Sequence, residues 1–359
     1  MSSLPAIRDI KITPVEFELK NPFVTSLGEK TVSKNVIVST EWSDGTMSLG
    51  EVSGSLVNAI LTQEVMLGEL TQLKQKVTGM KLEEAFHWVT QEGFKQVYAA
   101  SACAFEMALF SKKAAFEGKK LYQLFGNHCQ PLETCFTISA WQSDLAEAIA
   151  LQEWNAGFRK FKIKVGTGLD EDFKRICSVA AVAPKAELVL DGNQGFTVQS
   201  VTELIIELKK KKIEISFIEQ PLSTDTPIEA WVELKQKLQI PIALDESISS
   251  TEEAEDYIRH HAVDIINVKL AKSGIQEALN IIQLAQKNSV SLMIGCMAES
   301  VVGITPAVHL ASGTGAFDFV DLDSFYLLKP QEEYLGDFEW ECPTLSSSSE
   351  AKDLIDKHL

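Results

Sequence analysis

Lysines and carboxylates recur at the ends of short apolar runs in this chain. Lys162 and Lys164 lie in KFKIKV, Asp191 closes ELVLD, Glu219 lies in SFIEQP, Asp245 in IALDES and Lys269 in IINVKL. Asp321 and Asp323 follow at FDFVDLD. Carboxylates such as Asp191, Glu219 and Asp245 are oxygen donors suited to a hard octahedral cation, with waters or substrate oxygens completing the shell. None of the six histidines falls in the set, which disfavours zinc. Mg²⁺, one ion per chain, is the first expectation, and Mn²⁺ the substitute. Lysines beside such an ion have a definite use. A proton next to a carboxylate is weakly acidic, and its removal places two negative charges on the oxygens. A divalent cation stabilises that charge, and a desolvated lysine near other cations, its pKa lowered, can take the proton.

The elements that position these residues follow from the spacing. The β-rich runs TCFTIS, KFKIKV, ELVLD, SFIEQP, IALDES, IINVKL, SLMIGC and FDFVDL recur roughly every 26 residues, with helix-like sequence such as SVTELIIELKKKK between them. This beat predicts an α/β fold, a (β/α)8-type, modified TIM barrel over residues 126–329 with a curtailed last unit. Catalytic residues of such barrels sit at the C-terminal strand ends, where all these charges fall. Lys164 and Lys269, on strands two and six, then face each other across the ring and can address opposite faces of one carbon, the arrangement for a 1,1-proton transfer. Lys162, on the same face as Lys164, reads as a cation against the substrate carboxylate.

Each residue also has a plain structural reading. Lys162 and Lys164 can be a strand-end charge pair, Asp191 in LDGNQG a turn or helix-cap residue, and Cys296 a small core residue. Lys272, Glu246 and Glu299 are either hydrogen-bonding supports or spectators. The convergence on one mouth is what favours chemistry.

The first 125 residues read as an α+β capping domain, completed by the aromatic, acidic tail 330–359. Two alternating strand patterns flank NPFVTSLGEKTVSK, which reads as a mobile loop, and three helical patterns follow. With 33 basic and 50 acidic residues the net charge is −17, arguing against nucleic acid or an anionic membrane as partner. MSSLPAIRDIKITPVEF lacks a signal-peptide pattern, no apolar run nears about 18 residues, and the six cysteines show no CxxC spacing. A reduced, cytoplasmic protein is expected.

KFKIKVG, LDGNQGF, FIEQPL, ALDES and NVKLAKSGI, in this order, resemble the muconate-lactonising-enzyme subgroup of the enolase superfamily. MALFSKKAAFEGKKLYQLFG resembles the end of that subgroup's capping domain. The resemblance implies Asp191, Glu219 and Asp245 as metal ligands, Lys164 and Lys269 as the acid/base pair and Lys162 as auxiliary cation. Asn193 and Glu246 are expected behind them as hydrogen-bonding supports.

Asp321-Leu322-Asp323 resembles the Asp-x-Asp motif with which dipeptide epimerases hold the substrate's α-ammonium group, and IGCMAES also resembles those enzymes. Two carboxylates spaced by two on a strand share a face and suit a primary ammonium. The expected substrate is therefore a dipeptide, inverted at its C-terminal residue. Thr137 and Ser139 would bond its carboxylate or peptide group, and Met297 and Thr25 would line its site. Epimerases acting on Ala-Glu commonly carry an arginine in the covering loop. PFVTSLGEKTV has only Lys30, which tilts the expectation toward neutral or hydrophobic dipeptides. The rival readings are an o-succinylbenzoate synthase or N-succinylamino-acid racemase, and an inactive binding barrel. A homo-oligomer is possible by analogy.

Overall fold

The computed structural model describes residues 4–56, 59–331 and 333–347. An antiparallel sheet of Ile7–Thr25, Gly28–Trp42 and Met47–Ser53 opens the chain, followed by helices Gln63–Val77, Leu82–Gln91 and Ala99–Phe116. Asn58, placed by the sequence at the head of the first helical pattern, lies outside the described residues. Ile10, Val36, Val38 and Trp42 pack against Met66, Leu70 and Leu73 to form this domain's own core. The helix Ala99–Phe116 serves two cores. Ala100, Ala104, Phe105 and Leu109 join the cap cluster, while Cys103, Met107, Phe110 and Ala114 join the barrel cluster. A helix buried on both sides carries no polar stripe, as its sequence shows.

The barrel is an eight-stranded parallel sheet in strict sequential order. Its strands are Phe136–Ile138, Lys160–Lys164, Glu187–Asp191, Phe217–Glu219, Ile242–Leu244, Ile265–Val268, Ser291–Ile294 and Phe319–Val320, here numbered one to eight. The Cys135 N–H donates to the Val320 carbonyl at 2.8 Å and joins the two edges, removing the open strand margins that a flat sheet would leave. Seven strands are followed by full helices, but strand eight only by the single turn Ser324–Leu327, so the last unit is curtailed. Among the described residues, no helix is long and apolar enough to cross a membrane.

Two expectations need correction. The segment 21–34 is not a loop: it is the far end of a long hairpin, with Phe23 opposite Lys30 and Thr25 opposite Gly28. Polar residues there reflect a ribbon with one wet face, not an absence of strand. The tail does not return mainly to the cap. Lys329 N–H does reach the Glu18 carbonyl, and Tyr334 meets Phe17 edge-on. The hairpin Phe338–Glu341 and Thr344–Ser347, however, pairs with Leu132–Glu133 just ahead of the barrel, and Trp340 packs among Phe158, Phe325 and Tyr326 of the barrel. Aromatic burial directs it there. Residues 348–359 of the expected tail lie outside the described residues.

Candidate active site

Alternation along the barrel strands decides which side chains share the mouth, because successive residues point to opposite faces. Leu188, Leu190, Ile218, Ile242, Leu244, Ile266 and Val268 point outward into the cluster with the helices. Val189, Phe217, Ala243, Ile265, Met293 and Phe319 point inward and form a separate apolar floor. Two residues further along each of those strands, on the same inner face, come Asp191, Glu219, Asp245, Asn267, Gly295 and Asp321. Strand two pairs with strand three so that Lys162 lies opposite Val189 and Lys164 opposite Asp191. One apolar layer thus supports one charged layer.

The charges are paired and almost wholly removed from water. Lys164 Nζ lies 2.6 Å from Asp191 Oδ2 and donates to Asn193 Oδ1 at 3.0 Å. Lys162 Nζ lies 3.2 Å from Asp191 and 3.3 Å from Glu219, and forms its shortest ion pair with Asp321. Across the ring, Lys269 Nζ lies 2.6 Å from Asp245 Oδ2. Lys272 approaches Asp245 Oδ1 at 2.7 Å and donates to the carbonyls of Asp245, Ile248 and Asn267, so it fixes the ends of strands five and six.

Burial would lower both Lys162 and Lys269, yet both are raised above the ordinary lysine value. Asp321, Glu219 and Asp191 outweigh burial at Lys162, and chiefly Asp245 does so at Lys269. The lowered lysine pKa expected from clustered cations is therefore not the state of these groups here, because the acids outnumber them. Asp245 and Asp191 stay low: burial raises each, but the neighbouring lysines prevail. Glu219 takes the excess. Burial, then the Asp191 and Asp245 carboxylates, push it up to about 8.

Among the described residues, no three carboxylate, thiol or imidazole groups are drawn together as a finished metal cage. Asp191, Glu219 and Asp245 instead each face a lysine nitrogen. Their chemistry nevertheless fits a hard dication. All are oxygen donors on adjacent strands, Asp245 Oδ1 is buried with the Lys272 ammonium against it, and Glu219 sits where negative charge is least compensated. Mg²⁺ suits that donor set.

A pocket opens above this layer. Lys162, Lys164, Asn193, Lys269, Thr137, Cys296, Met297, Asp321 and Asp323 line its barrel side. Leu19, Phe23, Thr25, Leu27, Lys30 and Leu56 line its cap side. The Thr137 N–H donates to Asp323 Oδ2 at 2.6 Å and its hydroxyl to Asp321 Oδ1 at 3.3 Å, so Thr137 aligns the two aspartates as well as facing the pocket. Burial, then the neighbouring Asp321, push Asp323 up to about 7. Asn193 links Lys164 to Glu246, whose Oε1 accepts from Asn193 Nδ2 at 3.3 Å. Glu299 accepts the Met297 N–H at 3.1 Å and so shapes the loop carrying Met297. Cys296 lines the pocket, its thiol kept protonated by burial and by Asp321.

Ser139 is a correction. Its hydroxyl donates to the Val24 carbonyl at 2.8 Å and accepts the Val24 N–H at 2.5 Å, which leaves it no part in the pocket. It fastens the cap hairpin to strand one instead.

Sequence reading missed three residues on the strand ends. Gln220 accepts from the Asp245 and Ser247 N–H groups and donates to the Ser247 hydroxyl, tying strand four to strand five. Asn267 donates to Glu219 Oε1 at 2.7 Å. At Gly295 a Cβ would lie 2.7 Å from Asn267 Oδ1 and 2.9 Å from Lys269 Cε, so only glycine leaves the lysine its place. The period-two alternation that placed Asp191 and Glu219 also points to Asn267 and Gly295.

Residues 145–345 match the family described as enolase C-terminal domain-like. The chain is 32% identical to the L-Ala-D/L-Glu epimerase of Thermotoga maritima, over 94% of this chain and 98% of that protein. It is 30% identical to the hydrophobic dipeptide epimerase of Citrifermentans bemidjiense, covering 90% of each. Its fold superposes with a TM-score of 0.90 on the dipeptide epimerase of Enterococcus faecalis crystallised with Mg and the dipeptide L-Leu-L-Tyr, at 27% identity over 97% of this chain and 99% of that one. With that family's barrel, its charged mouth and relatives alike along nearly their whole length, this chain belongs to the enolase C-terminal domain-like family.

Proposed function

We propose that this isomerase is a Mg²⁺-dependent dipeptide epimerase that inverts the α-carbon of the C-terminal residue by two-base 1,1-proton transfer through an enediolate. The observation that carries the reading is the pair Lys164 and Lys269, on strands two and six, each 2.6 Å from a different carboxylate of the Asp191–Glu219–Asp245 set. One lysine removes the α-proton, and the other delivers a proton to the opposite face. Lys162 holds positive charge beside the substrate carboxylate. Mg²⁺, held by Asp191, Glu219 and Asp245, supplies when bound the charge that offsets these acids and steadies the negative charge growing on the substrate oxygens.

Asp321 and Asp323 receive the dipeptide's ammonium group. They repel an N-succinyl or muconate carboxylate, which disfavours the succinylated substrates. The apolar cap wall of Leu19, Phe23, Leu27 and Leu56 favours neutral or hydrophobic side chains. Relatives named for L-Ala-D/L-Glu and for hydrophobic dipeptides both lie at similar identity, so the wall itself is the better guide.

The test is a mass-spectrometric screen of pooled L,L-dipeptides with the enzyme and Mg²⁺ in D₂O. Gain of one mass unit on particular dipeptides, with appearance of the L,D epimer, is the expected result. Turnover of N-succinyl amino acids, with no dipeptide labelled, would overturn it.

A further inference from the structure

A buried ion pair outside the pocket binds the Lys164 strand and, through Trp141 in the loop after strand one, reaches the cap hairpin. Arg175 and Asp172 lie in the helix Leu169–Val182 after strand two and are 2% and 0% exposed. Asp172 Oδ2 accepts the Gly166 N–H at 2.8 Å, and its Oδ1 accepts the Thr167 hydroxyl at 2.9 Å. Arg175 Nη1 donates to Asp172 Oδ1 at 2.8 Å and to the Lys164 carbonyl at 3.1 Å, and its Nε donates to the Trp141 carbonyl at 2.6 Å. One guanidinium thus binds the main chain of a lysine in the pocket and the loop after strand one.

That loop carries one leg of the cap hairpin. The Trp141 indole N–H donates to the Pro22 carbonyl at 2.6 Å. The turn at the hairpin's tip rests on the loop after strand three, where the Ser26 hydroxyl donates to the Asn193 carbonyl at 2.7 Å. The loop after strand two supports that one in turn: a Cβ on Gly195 would lie 2.5 Å from the Gly166 carbonyl and 2.8 Å from Ser26 Cβ. Both footings of the segment bearing Phe23 and Thr25 therefore trace back to Asp172 and Arg175. The Phe23 ring in turn lies 5.6 Å from Lys164 Nζ.

We propose that Arg175, paired with Asp172, is a positioning residue that sets Lys164 and the cap hairpin in one fixed relation and makes no bond of its own to the strand bearing Lys269. This rests on the two-base reading above and adds an asymmetry to it. Loosening Arg175 impairs proton transfer at the Lys164 face and spares the Lys269 face. Lys269 still takes the α-proton from the epimer that presents it, exchanges that proton for a solvent deuteron, and returns the deuteron to the same face. Inversion fails because Lys164 is out of line.

The experiment uses Arg175→Lys, which keeps a charge beside Asp172 but cannot fork to both carbonyls. Each epimer of an accepted dipeptide is incubated in D₂O with Mg²⁺, and deuterium uptake and inversion are followed separately. Inversion is expected to fall about tenfold or more, while the epimer presenting its proton to Lys269 keeps most of its exchange, so its exchange-to-inversion ratio rises. An unchanged ratio, whether both rates fall together or neither does, overturns the proposal. If Arg175→Lys does not fold, Trp141→Phe removes only the indole–Pro22 bond. It is expected to raise KM several-fold with the ratio unaltered, and an unaltered KM overturns the proposal. A wild-type enzyme that labels no dipeptide would instead remove the two-base reading beneath it.

Discussion

On the barrel wall of the pocket, each reactive side chain projects from a strand end and is held by at least one partner: Lys164 by Asp191 and Asn193, Lys269 by Asp245, Asp323 by the Thr137 N–H. On the cap wall, Leu19, Phe23, Leu27 and Leu56 come from a hairpin and a connecting segment, and the half-buried Lys30 has, among the described residues, a single weak bond, to the Gly54 carbonyl at 3.3 Å. The first wall fixes geometry through paired strands. In the proposed function the second would enclose the substrate and select its side chains with the apolar surface of Leu19, Phe23, Leu27 and Leu56. Chemistry and selectivity are thereby separated in the fold, as expected where a rigid scaffold carries the reaction and loops carry recognition.

The most severe way to break the barrel wall is Lys269→Ala. Epimerisation in both directions is expected to fall by about 10³-fold or more with little change in KM, measured by chiral chromatography of either epimer. Normal rates from both isomers would contradict the two-base scheme.

Where the walls join, Glu106 on the cap helix Ala99–Phe116 accepts the N–H groups of Ile275 and Gln276, at the start of the barrel helix Ile275–Lys287. Burial pushes it up to about 7, against the lowering effect of those two bonds. A carboxyl raised in the folded state binds its proton more tightly there than in the unfolded chain. Its contribution to stability is therefore present below about pH 4.5 and is lost as pH rises to about 7, by about 3 kcal/mol. Glu106→Gln removes that loss. The stability difference between variant and wild type, from urea unfolding at pH 4.5 and at pH 7.5, should shift by this amount in the variant's favour. A constant difference would show that burial does not raise Glu106 above its unfolded value.

A smaller effect is expected from Asp323→Asn, which keeps the shape of the ammonium subsite and removes one charge. Loss of a charge-assisted hydrogen bond of about 1.5–3 kcal/mol raises KM for a free dipeptide by about ten- to a hundredfold. An N-acetylated dipeptide should lose its disadvantage relative to the free one. Equal losses for both substrates would place Asp323 in structural support and not in ammonium recognition.

The barrel wall was the legible one. Apolar residues alternating with Asp191, Glu219 and Asp245 announce both a strand and its inner face, because the period of a strand is fixed by covalent geometry. Asn267 and Gly295 obey the same period but are uncharged, so charge alone did not mark them. Lys162 and Lys269 were placed correctly at the mouth, but the direction of their shift was not legible, since it depends on which carboxylates approach them in three dimensions. Ser139 and the segment 21–34 were misread for a related reason. A hydroxyl near a pocket and a polar ribbon have no local signal that distinguishes service to a substrate from service to a neighbouring backbone. Only the docking of Val24 on Ser139 and of Pro22 on Trp141 decides it.

Lys30 gives the mildest and most specific test of the cap wall. It is the cation at the tip of the covering hairpin, and burial lowers it to about 8, with Lys164 adding to the effect and Glu299 opposing it. A lysine that bound an acidic side chain would lose its charge as pH rises through 8, and preference for Ala-Glu over Ala-Leu would fall with it. With apolar contacts setting selectivity, Lys30→Ala is expected to leave that preference within about threefold, under 1 kcal/mol, and the wild-type preference should hold steady from pH 7 to 9. The two readouts guard each other. A side chain acting only through packing changes with the substitution and not with pH, whereas a salt bridge to substrate changes with both. A collapse of Ala-Glu turnover in Lys30→Ala, matched by a fall near pH 8 in the wild type, would move the selectivity of this wall from its leucines and Phe23 to that one ammonium group.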